Sequence, residues 1–413
     1  MPREAKAFSF IHCADLHLDS PFLGLSLTDG AIAERLRKAP LEALRNIIDL
    51  AIRERVDFIL FAGDVFDSRV RSPRSRMALR DALNRAARAG IRSYVAHGNH
   101  DHLGTDMGVP LWNEEMGDMV HIFGAQPETI DVLRNDELIA RITGVSHDRD
   151  KLNENLAASM RGVPGSFNIG LLHCNIGTVS DVLPYAPCSL GDLMDKGIDY
   201  WALGHIHKRQ VLHENPHVVY SGNTQGRHAN ETGAKGVYLV QVRHGRLESL
   251  DFHAVDTVRW ERKELDVSDL ETDEDVVEAT RLERYPLLTL QRLTLVGRTP
   301  LDATLRIPGR LEELRELMNE GQLWVESIEL KTRPPIDLEA RRGGEDLLAE
   351  TLQQGDRLRS EGPKTILEKI LERAANIQGN RMRPYLDLLD DEEFLDLIEE
   401  AEIWCADMML EAD

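Results

Sequence analysis

Val56-Asp57-Phe58-Ile59-Leu60-Phe61-Ala62-Gly63-Asp64-Val65-Phe66-Asp67 is the stretch on which the reading of this chain turns. Its first seven residues are almost continuously apolar, the pattern of a strand buried on both faces. Gly63 lets the backbone turn sharply where that strand stops. Asp64 then hangs from the strand's carboxyl end, where open α/β proteins gather their functional groups.

The same arrangement recurs outward from this point. Strand 8–14 is followed by Asp15 and His17, and short strand 93–96 by Asn99 and His100. Strand 167–172 ends at His173, and strand 200–203 is followed by His205 and His207. A helix is expected over 31–55, with Leu36, Leu41, Leu44, Ile47, Ile48 and Ala51 on one face, and another over 73–89. Residues 139–145 read as a further strand, and 218–220 with 236–242 as a strand pair at the domain's edge. Strand–helix alternation through this region argues for an α/β architecture.

The pattern changes after about residue 256. Strand 258–265, helix 269–284, strand 287–296, helix 309–319 and strand 323–331 make a βαβαβ unit without a histidine. Thr332-Arg333-Pro334-Pro335 breaks it, and Arg341-Arg342-Gly343-Gly344 reads as a flexible joint. The expected divisions are therefore 1–256, 257–332, a linker at 333–345, and an acidic helical region at 346–413.

The 413 residues, 42% of them apolar, suffice for more than one core, and 29% are charged. No apolar run approaches the roughly 20 residues of a membrane span, and residues 1–10 lack a signal-peptide pattern. Cys13, Cys174, Cys188 and Cys405 show no CxxC spacing, and Cys13 and Cys174 lie in apolar strand-like runs that read as sites of buried thiols, which fits a reducing cytoplasm. The net charge of −22 argues against a nucleic-acid partner only at first sight. Residues 387–413 hold twelve Asp or Glu and no Lys or Arg, so more than half of the excess belongs to the tail.

Five strand ends thus carry Asp15 and His17; Asp64; Asn99 and His100; His173; and His205 and His207. Any one of these histidines alone reads as an ordinary hydrogen-bonded residue; the set reads as a cage. Imidazole with carboxylate, and no thiolate, suits manganese, iron or zinc. Only an anion can hold two cations roughly 3.5–4 Å apart, which makes Asp64 the expected bridge.

The ordered motifs DLH (15–17), GDVFD (63–67), GNHD (98–101), LLH (171–173) and GHIH (204–207) resemble those of the calcineurin-like metallophosphoesterase superfamily. The opening FIHCADLHLDSPF and the later SGNTQGRHANETGAKG are similar to the YhaO branch of its bacterial DNA-repair exonucleases, relatives of the SbcD nucleases. The resemblance implies a four-layer α/β/β/α sandwich, two mixed sheets face to face with helices outside, plus a small βαβαβ cap domain and a helical C-terminal tail. It implies two divalent ions, most simply manganese: one held by Asp15, His17, Asp64 and His207, the other by Asp64, Asn99, His173 and His205. His100 matches the catalytic histidine that contacts the phosphate or protonates the leaving oxygen. Asp67, Arg227 and His228 are candidate substrate contacts, the role of Asp67 being open. His147 reads as structural.

The implied activity is metal-dependent hydrolysis of DNA phosphodiesters, an exonuclease of a repair complex. The alternatives are a small-molecule phosphodiesterase or phosphatase, and a non-catalytic DNA-end-binding scaffold. Arg69, Arg71, Arg74, Arg76 and Arg80 read equally as a nucleic-acid track or as a solvated helix face. Phe394, Leu397, Ile398, Ala401, Trp404, Cys405 and Met408 recur at helical spacing in the acidic tail. That stripe docks either on its own domain or on a partner; the resemblance implies an SMC-like ATPase subunit of the SbcC/YhaN type. It also implies a homodimer paired through helices in the first hundred residues.

Overall fold

The computed structural model describes residues 7–20, 30–67, 72–104, 117–177, 185–361 and 391–410. Two six-stranded sheets form the centre of the larger unit. The first contains β1 (Phe8–Cys13), β2 (Phe58–Ala62), β3 (Arg92–Ala96), β4 (Val120–Ile122), β11 (Gly236–Arg243) and β12 (Arg246–Ala254), in the order β12-β11-β1-β2-β3-β4. The second contains β5 (Glu128–Arg134), β6 (Glu137–Gly144), β7 (Asn168–His173), β8 (Tyr200–Gly204), β9 (Gln210–Glu214) and β10 (His217–Tyr220), in the order β5-β6-β7-β8-β10-β9. β1, β2, β3 and β4 run parallel, as do β6, β7, β8 and β10, while β5, β9, β11 and β12 add antiparallel pairs.

The sheets face each other through Phe10, Phe58, Leu60 and Tyr94 on one side and Ile142, Ile169, Leu171 and Tyr200 on the other. Strands buried on both faces explain why their sequences lack alternation. The outer face of the first sheet is covered by α1 (Gly30–Glu54) and α2 (Pro73–Arg88), whose Leu44, Ile47, Ile48, Leu79 and Leu83 pack on Ile59 and Phe61. Ser72 caps α2 by accepting from the Ser75 amide, and Pro73 fits the first turn, where no amide partner is needed. Against the second sheet lies short α3 (Leu190–Leu193), whose Leu193 packs with Trp201 and Val218. Helices outside two stacked mixed sheets make the four-layer α/β/β/α sandwich.

One expectation is corrected. Residues 218–220 and 236–242 do not pair: β10 lies between β8 and β9 in the second sheet, whereas β11 lies between β1 and β12 in the first. The loop between them crosses from one sheet to the other, a step that short apolar runs do not encode. Strands β5, β9 and β12 lacked a sequence signal because one of their faces is open, leaving mixed polar patterns.

The βαβαβ unit is present as β13 (Val258–Asp266), α4 (Asp273–Arg281), β14 (Leu288–Arg298), α6 (Arg310–Met318) and β15 (Leu323–Arg333), with a short added helix α5 (Asp302–Leu305). Thr272 and Asp275 close a capping box at the start of α4. Trp260, Leu288 and Leu290 pack against Leu36 and Ala39 of α1. Gln225 links the same regions, accepting from the amides of Thr257 and Val258 and donating to the Val258 carbonyl.

In the second compact unit, α7 (Leu338–Arg342), α8 (Leu347–Glu361) and α9 (Asp391–Leu410) associate. The stretch Arg341-Arg342-Gly343-Gly344 is not a free joint. Arg342 ends α7 and pairs with Glu402 at 2.8 Å and Asp356 at 2.6 Å, and Arg359 joins Glu402 at 2.7 Å. A buried carboxylate with two guanidiniums is a fixed point rather than a hinge. Ile398, Glu402 and Ala406 are buried, while Leu397, Trp404 and Met408 stay exposed, Trp404 by 64%. The side chain of Phe394 and residues Arg69 and Arg71 lie outside what is described. No described helix is long and apolar enough to cross a membrane.

Candidate metal centre

The loops at the carboxyl ends of β1, β2 and β8 adopt conformations most residues avoid. Asp15, His17, Asp64 and His205 have φ of 51°, 45°, 49° and 100°. Each such residue costs of order 1–3 kcal/mol and persists only where its surroundings over-determine it. Here they do. The amides of Asp15, His17 and Leu18 donate to the carbonyls of Gly63, Asp64 and Val65, each at 3.0 Å. The His100 amide donates to Asp64 Oδ1 at 2.9 Å, and the His205 amide donates to both oxygens of Asp15 at 3.1 Å. Gly98 allows the close approach, since a β-carbon there would lie 2.2 Å from Asp64 Oδ1.

Two groups of side chains converge above this floor. The ligand atoms of Asp15, His17 and His207 lie within 4.8 Å of one another, as do those of Asp64, His173 and His205. His17 Nε2 faces His207 Nε2 at 3.2 Å, and His207 Nε2 lies 3.8 Å from Asp15 Oδ1. His173 Nε2 lies 3.4 Å from Asp64 Oδ2 and 3.1 Å from Asn99 Oδ1. Asp64 Oδ2 is also 4.0 Å from His17 Nε2, so this carboxylate touches both groups.

The protonation pattern decides what the convergence is for. His173 Nδ1 donates to the Ala62 carbonyl at 2.9 Å, which leaves its Nε2 as the inward atom. His207 Nδ1 faces Glu231 Oε1 at 2.6 Å, and His17 Nδ1 faces Asp67 Oδ1 at 2.9 Å. Glu231 thus orients His207 with its Nε2 lone pair turned inward, the carboxylate–histidine arrangement of metal sites, while Asp67 lies against His17 Nδ1 at ion-pair distance without a hydrogen bond of good geometry. Buried His205 Nε2 has no hydrogen-bond partner among the described residues. Lone pairs this close repel unless a proton or a cation lies among them. Two ligands about 2.1 Å from one ion stand roughly 3–3.4 Å apart, the spacing of the His17–His207, His173–Asn99 and His173–Asp64 pairs, while His207–Asp15 and His17–Asp64 are wider at 3.8 and 4.0 Å. The donor set fits divalent cations.

Without a cation, protons take up the strain. Burial alone would lower the His173 pKa, but the Asp64 carboxylate, and Asp15 beyond it, raise it to about 9. His205 goes the other way: burial and the charge of His173 lower it to about 3. Burial likewise lowers His17. Asp67 and Glu231 are held well below the carboxylate range, because contacts with His17, His207 and Arg227 outweigh their burial.

All seven predicted ligands are therefore in one place. His100 stands at the rim with its side chain 43% exposed, and its Nδ1 donates to the Asp67 carbonyl at 2.9 Å. Arg227 and His228 stand beside the carboxylates next to His17 and His207. Arg227 donates to Asp67 Oδ1 at 2.9 Å and lies 3.6 Å from Glu231 Oε1, while His228 sits 3.5 Å from Glu231. The guanidinium is committed to both of these carboxylates, so its geometry is that of a brace. Arg80 pairs with Asp81 on an open helix face, and Arg74 is exposed.

Sequence reasoning missed Glu231 and Asp101. Glu231 Oε2 accepts from the Arg227 amide at 2.7 Å and Asn223 Nδ2 at 2.9 Å. Asp101 accepts from the amides of Gly98 at 2.8 Å and Val65 at 2.9 Å, tying two site loops together. Both stand inside motifs that carry the resemblance, HANET and GNHD. His147 is structural as expected, bridging to the carbonyl of His173 at 2.7 Å.

The chain matches the calcineurin-like phosphoesterase family over residues 8–209 and the middle domain of metallophosphoesterase YhaO over residues 260–333. It is 42% identical over 325 residues to metallophosphoesterase YhaO of Bacillus subtilis, covering 76% of this chain and 78% of that protein. It is 26% identical over 230 residues to DNA double-strand break repair protein Mre11 of Thermoplasma acidophilum, covering 50% of this chain and 57% of that one. With Mre11 of Sulfurisphaera tokodaii it shares 28% identity over 209 residues, 49% of each chain. Against these two Mre11 proteins the chain spans between 49% and 57% of their length.

Proposed function

We propose, from the premise that this chain belongs to the calcineurin-like phosphoesterase family and is a phosphoester hydrolase, that its substrate is DNA. The reaction is hydrolysis of a phosphodiester bond, with manganese the preferred metal. The observation that carries the hydrolytic part is the pair of acceptor-lined groups meeting at Asp64. The nucleic-acid part draws support from similarity to the Mre11 proteins and from the βαβαβ unit packed on α1, an addition a small substrate does not need.

In this reading Asp15, His17 and His207 hold one cation, Asn99, His173 and His205 the other, and Asp64 both. Divalent cations held there would supply Lewis acidity to the phosphate and acidify water. The chain's own contribution is placement and proton supply. The Asp67 carbonyl fixes the His100 ring through Nδ1, which leaves Nε2 as the ring atom placed to exchange a proton with the departing oxygen. Arg227, between Asp67 and Glu231, adds to the contacts with His17 and His207 that hold both carboxylates below their usual range.

The exposed side of α9, with Leu397, Trp404 and Met408, faces a protein partner, an SMC-like ATPase; an acidic helix is repelled by DNA. Self-docking of this helix uses the opposite side, through Ile398 and Ala406.

Purified protein with manganese is assayed on linear DNA, p-nitrophenyl phosphate and a cyclic nucleotide, with and without the ATPase. Cleavage of DNA, lost in Asp64→Asn and slowed in His100→Ala with metal retained, is expected. Intact DNA alongside a hydrolysed small ester overturns the substrate assignment.

A further inference from the structure

Beside His207 lies a cavity of about 260 Å³, between the loop after β8 and the turn before β11. Lys208, Arg209 and Lys235 line it. No ion pair within 4 Å holds any of the three among the described residues, in a chain of net charge −22, although Glu231 and Asp256 lie near enough to Lys235 to act on its charge. Three cations converging on one hollow make it a site for an anion.

The hollow is also built. Arg209 lies 4.0 Å above the Phe252 ring and donates through Nη1 to the Ala234 carbonyl at 3.0 Å. One face of the guanidinium is thus fixed and its remaining donors are available. Gly222, with φ of 74°, presses against this loop: a β-carbon there would lie 2.8 Å from both the His207 carbonyl and the Arg209 amide. The Asn223 amide donates to the His207 carbonyl at 3.2 Å. The loop carrying Lys208 and Arg209 is held rigidly to the residue that faces the metal groups.

We propose that this cavity is a second phosphate subsite, receiving a backbone phosphate of the DNA strand that flanks the scissile bond. The inference rests on the DNA reading above. Its size admits a phosphate with part of a sugar, and falls below that of ordinary drug-sized ligand pockets. Fixed Arg209 supplies paired donors to phosphate oxygens, while Lys208 and Lys235 supply charge. Adjacent contact at His207 sets the register of the strand relative to the cations. The other source of the same chemistry is free phosphate or a released nucleotide.

The test uses full-length, manganese-loaded protein, the Lys208→Ala/Lys235→Ala double variant and Lys235→Arg. Hydrolysis of bis-p-nitrophenyl phosphate, a diester with no flanking phosphate, reports on fold and metal loading. Substrates are single-stranded oligonucleotides with a neutral methylphosphonate on one side or the other of the scissile bond. In the parent, neutralising one flanking phosphate raises KM about tenfold, the size of one charge-assisted hydrogen bond. In the double variant KM for ordinary DNA rises similarly and the methylphosphonate no longer matters, because its partners are gone. The salt dependence of binding becomes shallower by about 0.7 for each phosphate that the variant leaves unneutralised. Lys235→Arg retains the parent behaviour.

Parent and double variant sharing one KM and one salt slope on DNA sinks the subsite and leaves the nuclease reading standing. A parent that hydrolyses the small diester yet leaves DNA intact sinks the nuclease reading, and the strand subsite with it. Inhibition of diester hydrolysis by inorganic phosphate that weakens in the double variant, with an unchanged KM for DNA, assigns the cavity to free phosphate and overturns the strand assignment.

Discussion

Glu231→Gln is the substitution whose consequence the structure fixes most tightly. The carboxylate serves three donors: His207 Nδ1 at 2.6 Å on Oε1, and the Arg227 amide at 2.7 Å and Asn223 Nδ2 at 2.9 Å on Oε2. Glutamine has the same shape but one acceptor oxygen. If its NH₂ turns toward Oε2's partners, two donors go unmet, each at about 1–3 kcal/mol. If it turns toward His207, only one pairing is wrong, so this orientation wins. His207 must then accept at Nδ1, which puts its proton on Nε2, the atom 3.2 Å from His17 Nε2. A cation can bind there only after that proton moves. Removing such an orienting carboxylate costs about 10–100-fold in metal affinity, or about 1.4–2.7 kcal/mol. Manganese titration of the intact protein against a competing chelator measures it, with circular dichroism as the check on folding. One of two binding events should weaken and the other, at Asp64, His173 and His205, should hold. Parent affinity at both sites would refute the tautomer argument, and an equal loss at both would refute the separation of the two groups.

Other outcomes follow from the same geometry. Gly98→Ala should expel Asp64 from the site and abolish metal binding, since the added carbon falls 2.2 Å from Oδ1; Gly90→Ala, with φ of 79° and open space around it, should cost only about 1 kcal/mol of backbone strain. Calorimetry in buffers of different ionisation enthalpy should show manganese displacing about one proton at neutral pH, because metal-free His173 is charged up to about pH 9; that proton's contribution is present below its ordinary pKa and is lost as pH rises through about 9, so apparent metal affinity climbs over the same range. His12, fully buried against Tyr200 and the Leu203 carbonyl, has its pKa lowered by burial from 6.5 to about 3. Below 6.5 the unfolded chain binds a proton that the folded chain refuses, so stability falls with acid, by about 2 kcal/mol from this group by about pH 5. Urea melts at neutral pH and at about pH 5 should show this slope reduced in His12→Gln, and an unchanged slope would refute it.

The candidate site was legible because its parts obey a local rule. Each ligand follows a short apolar strand, so strand ends could be found by periodicity and the ligands by residue type. Asp64, His173 and His205 needed nothing more. Glu231 and Asp101 stand inside motifs, yet their work was not legible because each joins a near neighbour to another loop: Glu231 joins Arg227 and Asn223 to His207, and Asp101 joins Gly98 to Val65. Arg227 misleads for a related reason. A basic side chain in a loop looks available until Asp67, 160 residues earlier in the chain, is seen to hold it.

Sequence alone determined the order and type of most elements, the family, and the seven inward-facing groups, because burial on both faces of a strand and side-chain chemistry are written residue by residue. Only the tertiary structure decided which sheet β10 and β11 join, and that Asp67 and Glu231 lie against the outer nitrogens of His17 and His207. It alone shows that Lys208, Arg209 and Lys235 surround one hollow. Pairing across a sheet stack and convergence of loops depend on distances through space, and the order of residues along a chain does not contain them.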